Sequence, residues 1–299
     1  MFVYFKNRMI YMKKTFFKSY GFGVAFIALI YILATLIGVF IYKSLKFEPF
    51  LNLLIADVAA TLVVFIASTL VNNASVYDPY WSVQPIVITV ILAITNGLTP
   101  TGVLMLVAIS IWGIRLTANW AYTFSGLAHQ DWRYTMLEEK TGALYPIVNF
   151  FGIHLVPTLI VYGCTLPAVY AIIEKWSFNF GVVLFLLLSL AAVLLQGIAD
   201  VQMHKFRKNK TKKQTFIRVG LWKNSRHPNY LGEIVMWWGI ALMGVCAMPS
   251  RWYFIAGAFA NTLLFLFISI PMADKRQSKK KGFDKYKAET RMLFPIKKF

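Results

Sequence analysis

Cysteine is almost absent: Cys164 and Cys246 are the whole supply, and each sits inside an apolar run. That argues against a disulfide framework or a cysteine metal cluster and leaves both as packing residues. Histidine is too scattered, at 129, 154, 204 and 227, to form a ligand set of the HExxH kind. Neither a GxGxxG nor a GxxxxGK[ST] phosphate loop occurs. Charge is scarce as well, at 14% of residues, against roughly 25% in ordinary soluble domains. What fills the gap is apolar: 58% of the chain is hydrophobic and 16% aromatic. Such a composition leaves no room for a soluble domain and describes an integral membrane protein.

The cationic excess of +19 is unevenly placed. Residues 1 to 18 carry five basic groups and no acid, 201 to 230 carry nine and no acid, and 273 to 299 carry ten against three. Basic segments beside spans are what the positive-inside rule puts on the cytoplasmic face, so nucleic acid is not implied.

A span takes about 20 mostly apolar residues, and suitable runs fall near 19–42, 50–71, 83–96, 101–123, 147–172, 180–200, 231–248 and 252–272. The expectation is therefore an all-α, polytopic bundle of about seven or eight spans, or up to ten with re-entrant segments. The first run lacks a small-residue cleavage pattern and reads as a retained anchor. The third is short and could tilt, re-enter or pair with the fourth. Eight crossings put both termini in the cytoplasm, together with VYDPYWS, HQDWRYTMLEE and the long basic loop. Two regions follow: 1–50, a basic segment with an added first span, and 51–299, the main membrane domain, whose half from 195 to 299 is the more motif-like.

That half holds two polar strips. In SRHPNYLGEIVMWW, Pro228 suits the first turn of a helix, with Arg226 and His227 just before it. Tyr230, Glu233 and Trp237 then share one face, with Asn229 alongside. An intramembrane carboxylate is costly and needs a partner; Glu233 either joins a binding site or ties two helices together. Upstream, Asp200, His204 and Arg207 also lie on one face. Two such strips make an anion pocket. Arg207, Lys205, Arg226 and Lys223 suit phosphates, while Asp200, Asn229 and Glu233 suit ribose or amide groups. Trp222 offers a surface to a flat ring. The tail, DKRQSKKKGFDKYKAETRMLFP, has too many aromatics for a solvated tail and is expected to fold back, with Tyr286 and one or two of Lys275, Lys279 and Lys280 covering the ligand.

GLWKNSRHPNYLGEI, the upstream ADxxxxxFR and the tail pattern KxGFxKYxxxTxxxFP resemble the steroid 5-alpha-reductase and sterol-reductase superfamily. VYDPYWS, WGIRLTANWA and QDWRY are similar to its bacterial branch of uncharacterised membrane proteins carrying the DUF1295 domain. The resemblance covers roughly residues 55–299 and implies a cytosolic NADPH site, a lipophilic substrate with an activated carbon–carbon double bond, and a bacterial inner-membrane location. Asp200, Arg207, Asn229, Tyr230 and Glu233 match its cofactor motif, Trp222 an aromatic before it and Tyr286 the tail tyrosine. Where the steroid reductases have His and Tyr at the start of the tail, this chain has Lys275 and Lys279. Their catalytic Glu has its nearest counterpart in Asp78, and their Tyr position is taken by Trp112 beside Arg115, so Asp78 and Tyr80 stand as the candidate catalytic pair. Asp78 reads equally as a helix cap. Two rival functions carry less of the pattern: an isoprenylcysteine-type S-adenosylmethionine methyltransferase, whose cofactor has no phosphate, and a non-enzymatic transporter or lipid-binding protein.

Overall fold

The computed structural model describes residues 17–209 and 215–297. The basic groups at positions 1–16 and the lysines at 210, 212 and 213 lie outside the described residues. Within them the chain is helical, with no β-sheet. The helices are α1 Tyr20–Ser44, α2 Pro49–Leu70, α3 Tyr80–Asn96, α4 Pro100–Thr123, α5 Trp132–Thr141 and α6 Tyr145–Val148. They continue with α7 Val156–Ile173, α8 Phe180–Asn209, α9 Pro228–Ala247, α10 Ile255–Leu264, α11 Ile270–Ser278 and α12 Phe283–Glu289. Eight candidate membrane spans result among the described residues, matching the eight apolar runs. The short third run is lengthened by a 3-10 turn, Ala74–Tyr77, that leads into α3. The connection at 124–146 is not bare loop, since Asp131 caps α5 by accepting from the Arg133 N–H at 2.9 Å.

Starts and stops follow local chemistry. Proline occupies the first turn of α2 and α9, where its missing N–H costs nothing. Ser19 caps α1 through the Phe22 N–H. Two π-helical turns, Asn149–Leu155 and Phe265–Ser269, interrupt otherwise continuous helix. Turns of this kind occur often at functional sites.

The chain divides into two compact units. The first comprises Met1–Val87 and Leu116–Tyr162, the second Ile88–Arg115 and Gly163–Phe299. In the first, α1 packs along α2, and Tyr31 of α1 donates its hydroxyl to the Val76 carbonyl at 2.6 Å. In the second, α8 and α9 pack closely because Gly232 and Gly239 leave space for Gln196 and Ser189. Helix α10 meets α7 at Gly257, where an added Cβ would lie 2.3 Å from the Gly163 carbonyl carbon and 2.4 Å from the Cys164 nitrogen.

Backbone atoms cannot swing aside, so Gly257→Ala is expected to cost roughly 1–3 kcal/mol through overpacking. Gly21→Ala, where nothing lies within 4 Å, is expected to be neutral or stabilising. Unfolding midpoints in detergent compare the two; equal behaviour would rule out a tight α7–α10 contact.

Candidate functional site

The entrance to α9 is built from pieces distant in sequence. Gly220 adopts φ +59°, and a side chain there would collide with Gln202, so the 3-10 turn Gly220–Lys223 hugs α8. Gln202 accepts the Leu221 N–H at 2.9 Å, and the Trp222 indole donates to the Ala199 carbonyl at 3.1 Å. Trp222 is thereby buried and held rigidly against the end of α8.

The tail folds back onto this turn. Tyr286 of α12 donates its hydroxyl to the carbonyls of Trp222 and Ser225. Burial pushes its phenol up to about 12, although Arg226 and Arg218 pull the other way. Beyond α12 the backbone pairs with the α9 entrance: the Arg226 N–H donates to the Arg291 carbonyl at 3.0 Å and the His227 N–H to that of Met292 at 3.2 Å. Asp274 of α11 fastens the join. Its carboxylate lies 3.2 Å from Arg226 Nη2, 3.0 Å from His227 Nε2 and 3.7 Å from Lys287 Nζ. Arg226 Nη1 donates to the carbonyls of Lys287 and Thr290 at 3.2 and 2.6 Å. Arg226, expected at the phosphates, and His227, expected beside it at the cofactor, are thus engaged in holding the tail.

One turn deeper, Glu233 is 4% exposed and surrounded by donors. Trp112 Nε1 reaches both carboxylate oxygens at 3.0 and 2.9 Å, Trp237 Nε1 reaches Oε1 at 3.0 Å, and Gln196 Nε2 reaches Oε2 at 3.0 Å. Arg115 of α4 places Nη2 3.9 Å from Oε2 and Nη1 2.6 Å from Asp200 Oδ2. Glu233 and Asp200 are therefore joined through one guanidinium that links α4, α8 and α9. Of the two readings of Glu233, these contacts describe the tie between helices.

The remaining cofactor candidates are nearer the surface. Lys205, Arg207 and Lys275 are exposed, and His204 is half-buried. Tyr230 stacks on the His227 ring at 5.1 Å and 8°, and leans on Phe265 at 4.9 Å. The Asn229 side-chain oxygen Oδ1 is buried with no partner among the described residues. A buried carbonyl oxygen without a donor is unusual and marks a place for one.

In the first unit, the catalytic candidates have separate partners. Asp78 Oδ1 accepts the Tyr134 hydroxyl at 2.6 Å and lies 3.9 Å from Arg133 Nη2. VYDPYWS and QDWRY are thus brought together, further joined by Gln130 accepting from the Ala74 N–H at 2.8 Å. Tyr80 instead points its hydroxyl at Asp57 Oδ1, 3.4 Å away, and Gln84 Nε2 lies 2.6 Å from Asp57 Oδ2. His154 is fully buried against Ser68 and the Asn149 carbonyl, a packed and hydrogen-bonded side chain. Sequence reading passed over Asp57, Gln196 and Asp274. Asp57 carried a visible signal, a lone acid in the apolar run LLIADVAATLVV.

A family model described as a protein of unknown function, DUF1295, matches residues 64–290. The chain belongs to the DUF1295 family. An uncharacterized protein of Schizosaccharomyces pombe is 25% identical to this DUF1295 chain over 183 residues, which cover 51% of the chain and 53% of the relative. The chain thus spans about half the length of that curated relative. No solved structure matches.

Proposed function

We propose that this membrane protein is an NADPH-dependent oxidoreductase that reduces an activated carbon–carbon double bond in a lipophilic substrate such as a steroid, polyprenoid or other lipid. The observation that carries this reading is the buried Asn229 oxygen at the start of α9, without a partner among the described residues; the end of α8 adds the exposed cations Lys205 and Arg207. An anion with hydroxyl or amide donors matches both features, and NADPH offers that combination.

In this reading Arg207 and Lys205 hold phosphate, the former with a planar fork suited to it. Asn229 accepts a hydrogen bond from ribose or carboxamide, and Trp222, buried and fixed by its indole bond to α8, acts by holding the turn before α9 in place. Asp200 and Glu233, bridged by Arg115, set the floor beneath them. Arg226, His227 and Tyr286 act by holding the tail. Lys275, exposed on α11, is a further cation for the ligand. When bound, NADPH supplies the hydride; the protein orients it and excludes water. Asp78 and Tyr80 keep their assignment as the proton-donating pair. The basic segments argue for a cytoplasmic site and cytoplasmic termini in a cell membrane.

Calorimetric titration of the detergent-purified chain with NADPH, NADH and S-adenosylmethionine tests the reading. Arg207→Ala is expected to weaken NADPH by about tenfold to a hundredfold, the value of a hydrogen bond to a charged group. Asn229→Ala is expected to weaken it by about two- to tenfold. Binding of S-adenosylmethionine alone would replace the reductase by a methyltransferase.

A further inference from the structure

The first unit contains a buried carboxyl that the reading above does not use. Asp57 lies in α2, well inside a membrane span, and is 4% exposed. Among the described residues no Lys, Arg or His lies within ion-pair distance of it; its two contacts are Gln84 at 2.6 Å and the Tyr80 hydroxyl at 3.4 Å. From Tyr80 the contacts continue through Thr61 to Thr158, and from Thr158 to the Tyr77 hydroxyl at 2.9 Å. Beyond this run, Tyr31 meets the edge of Tyr80, while His154 packs on the Tyr77 ring beside the π-helical turn.

Glu233 provides the contrast. It is buried to the same degree but receives three side-chain N–H donors and stands beside a guanidinium. An ionised carboxylate can persist there. An isolated one, with two neutral contacts, takes up a proton instead, because Born solvation in a medium of low dielectric would cost tens of kcal/mol. The contact to Gln84 points the same way. At 2.6 Å it is shorter than the usual N–H···O range and falls within the O–H···O range. Turning the Gln84 amide over makes it a bond from Asp57 Oδ2–H to Gln84 Oε1, an assignment that the heavy atoms permit equally.

We propose that Asp57 is a proton-binding site inside the membrane-spanning part of the chain, with the proton on Oδ2, held by Gln84 and joined to a run of hydroxyls that begins at Tyr80. The bond to Tyr80 stays in place whether the proton is present or not, since a hydroxyl can donate to a carboxylate or accept from a carboxylic acid. Intramembrane acids of this type serve proton-linked functions. This inference does not depend on NADPH, so its failure and that of the reductase reading are separate events.

Infrared spectroscopy of the full-length, detergent-purified chain at neutral pH, in H2O and D2O, tests it. The expected result is a protonated-carboxyl C=O band that shifts down in D2O, is lost in Asp57→Asn and persists in Asp78→Asn. Absence of the band from the wild type, or its loss in Asp78→Asn but not in Asp57→Asn, would overturn the proposal. Should Asp57→Asn not fold, Gln84→Ala gives the second reading: the band is expected to remain and move in frequency, and an unmoved band would count against the site.

Discussion

Replacing Glu233 with alanine is expected to remove about 3–5 kcal/mol of stability, the usual cost of breaking a buried ion pair from one side. The loss does not come chiefly from the missing carboxylate. It comes from the indole N–H groups of Trp112 and Trp237, the Gln196 amide and Arg115, all of which would remain in a site that water does not reach. Glu233→Gln should cost less, roughly 1.5–3 kcal/mol for a lost charged hydrogen bond. The Gln196 amide can turn over, and its Oε1, now without a partner, can accept from the new NH2. Chemical unfolding in detergent, followed by tryptophan fluorescence, compares the two. A loss below about 1 kcal/mol for the alanine variant would mean that the donors find other acceptors, and that Glu233 is not the tie among α4, α8 and α9.

Asp274→Ala should have an effect of the same size but a more local one. The side chains of Arg226 and His227 are 9% and 8% exposed, so losing their shared carboxylate strands two donors and releases Lys287. A cost of about 3–5 kcal/mol falls on the join between the tail and the α9 entrance. When opening and closing are fast relative to cleavage, proteolysis follows the open population. Trypsin should then cut after Arg291 at least about a hundredfold faster than in the wild type. Asp274→Asn keeps a partner for His227 and should lie in between. Unchanged cleavage in the alanine variant would show that the backbone bonds to Arg226 and His227 hold the tail unaided.

Much of this architecture is legible in the sequence because membrane spans announce themselves by length and apolarity. All eight runs became candidate spans. The tail was legible too, for Phe283 and Tyr286 had no reason to stand in a solvated segment, and both are buried. Helical spacing put Trp237 beside Glu233, and its indole does bond that carboxylate. The same periodicity could not name the partner of Asp200. That partner, Arg115, is 85 residues away, and a period within one helix carries no information about which other helix lies against it. The use of Arg226 for the tail was hidden for the same reason. A basic residue before a helix reads as a phosphate ligand until the chain that covers it is seen. The π-helical turns were not read from the sequence, since the polar residues of Asn149–Leu155 do not by themselves tell a wider turn from an α-helix.

The pairing of the α9 entrance with the tail also has a consequence for how the protein is made. The Arg226 guanidinium finds the Thr290 carbonyl 64 residues further on, and the Ser225 hydroxyl finds that of Leu293 68 residues on. While α10 and α11 are still being synthesised, neither partner exists. The turn before α9 therefore waits, its amides and guanidinium served by water, until Thr290 and Leu293 have been added. Whatever this surface binds, the newborn chain cannot present it in finished form before the segment from Phe283 to Leu293 has been made and has folded back.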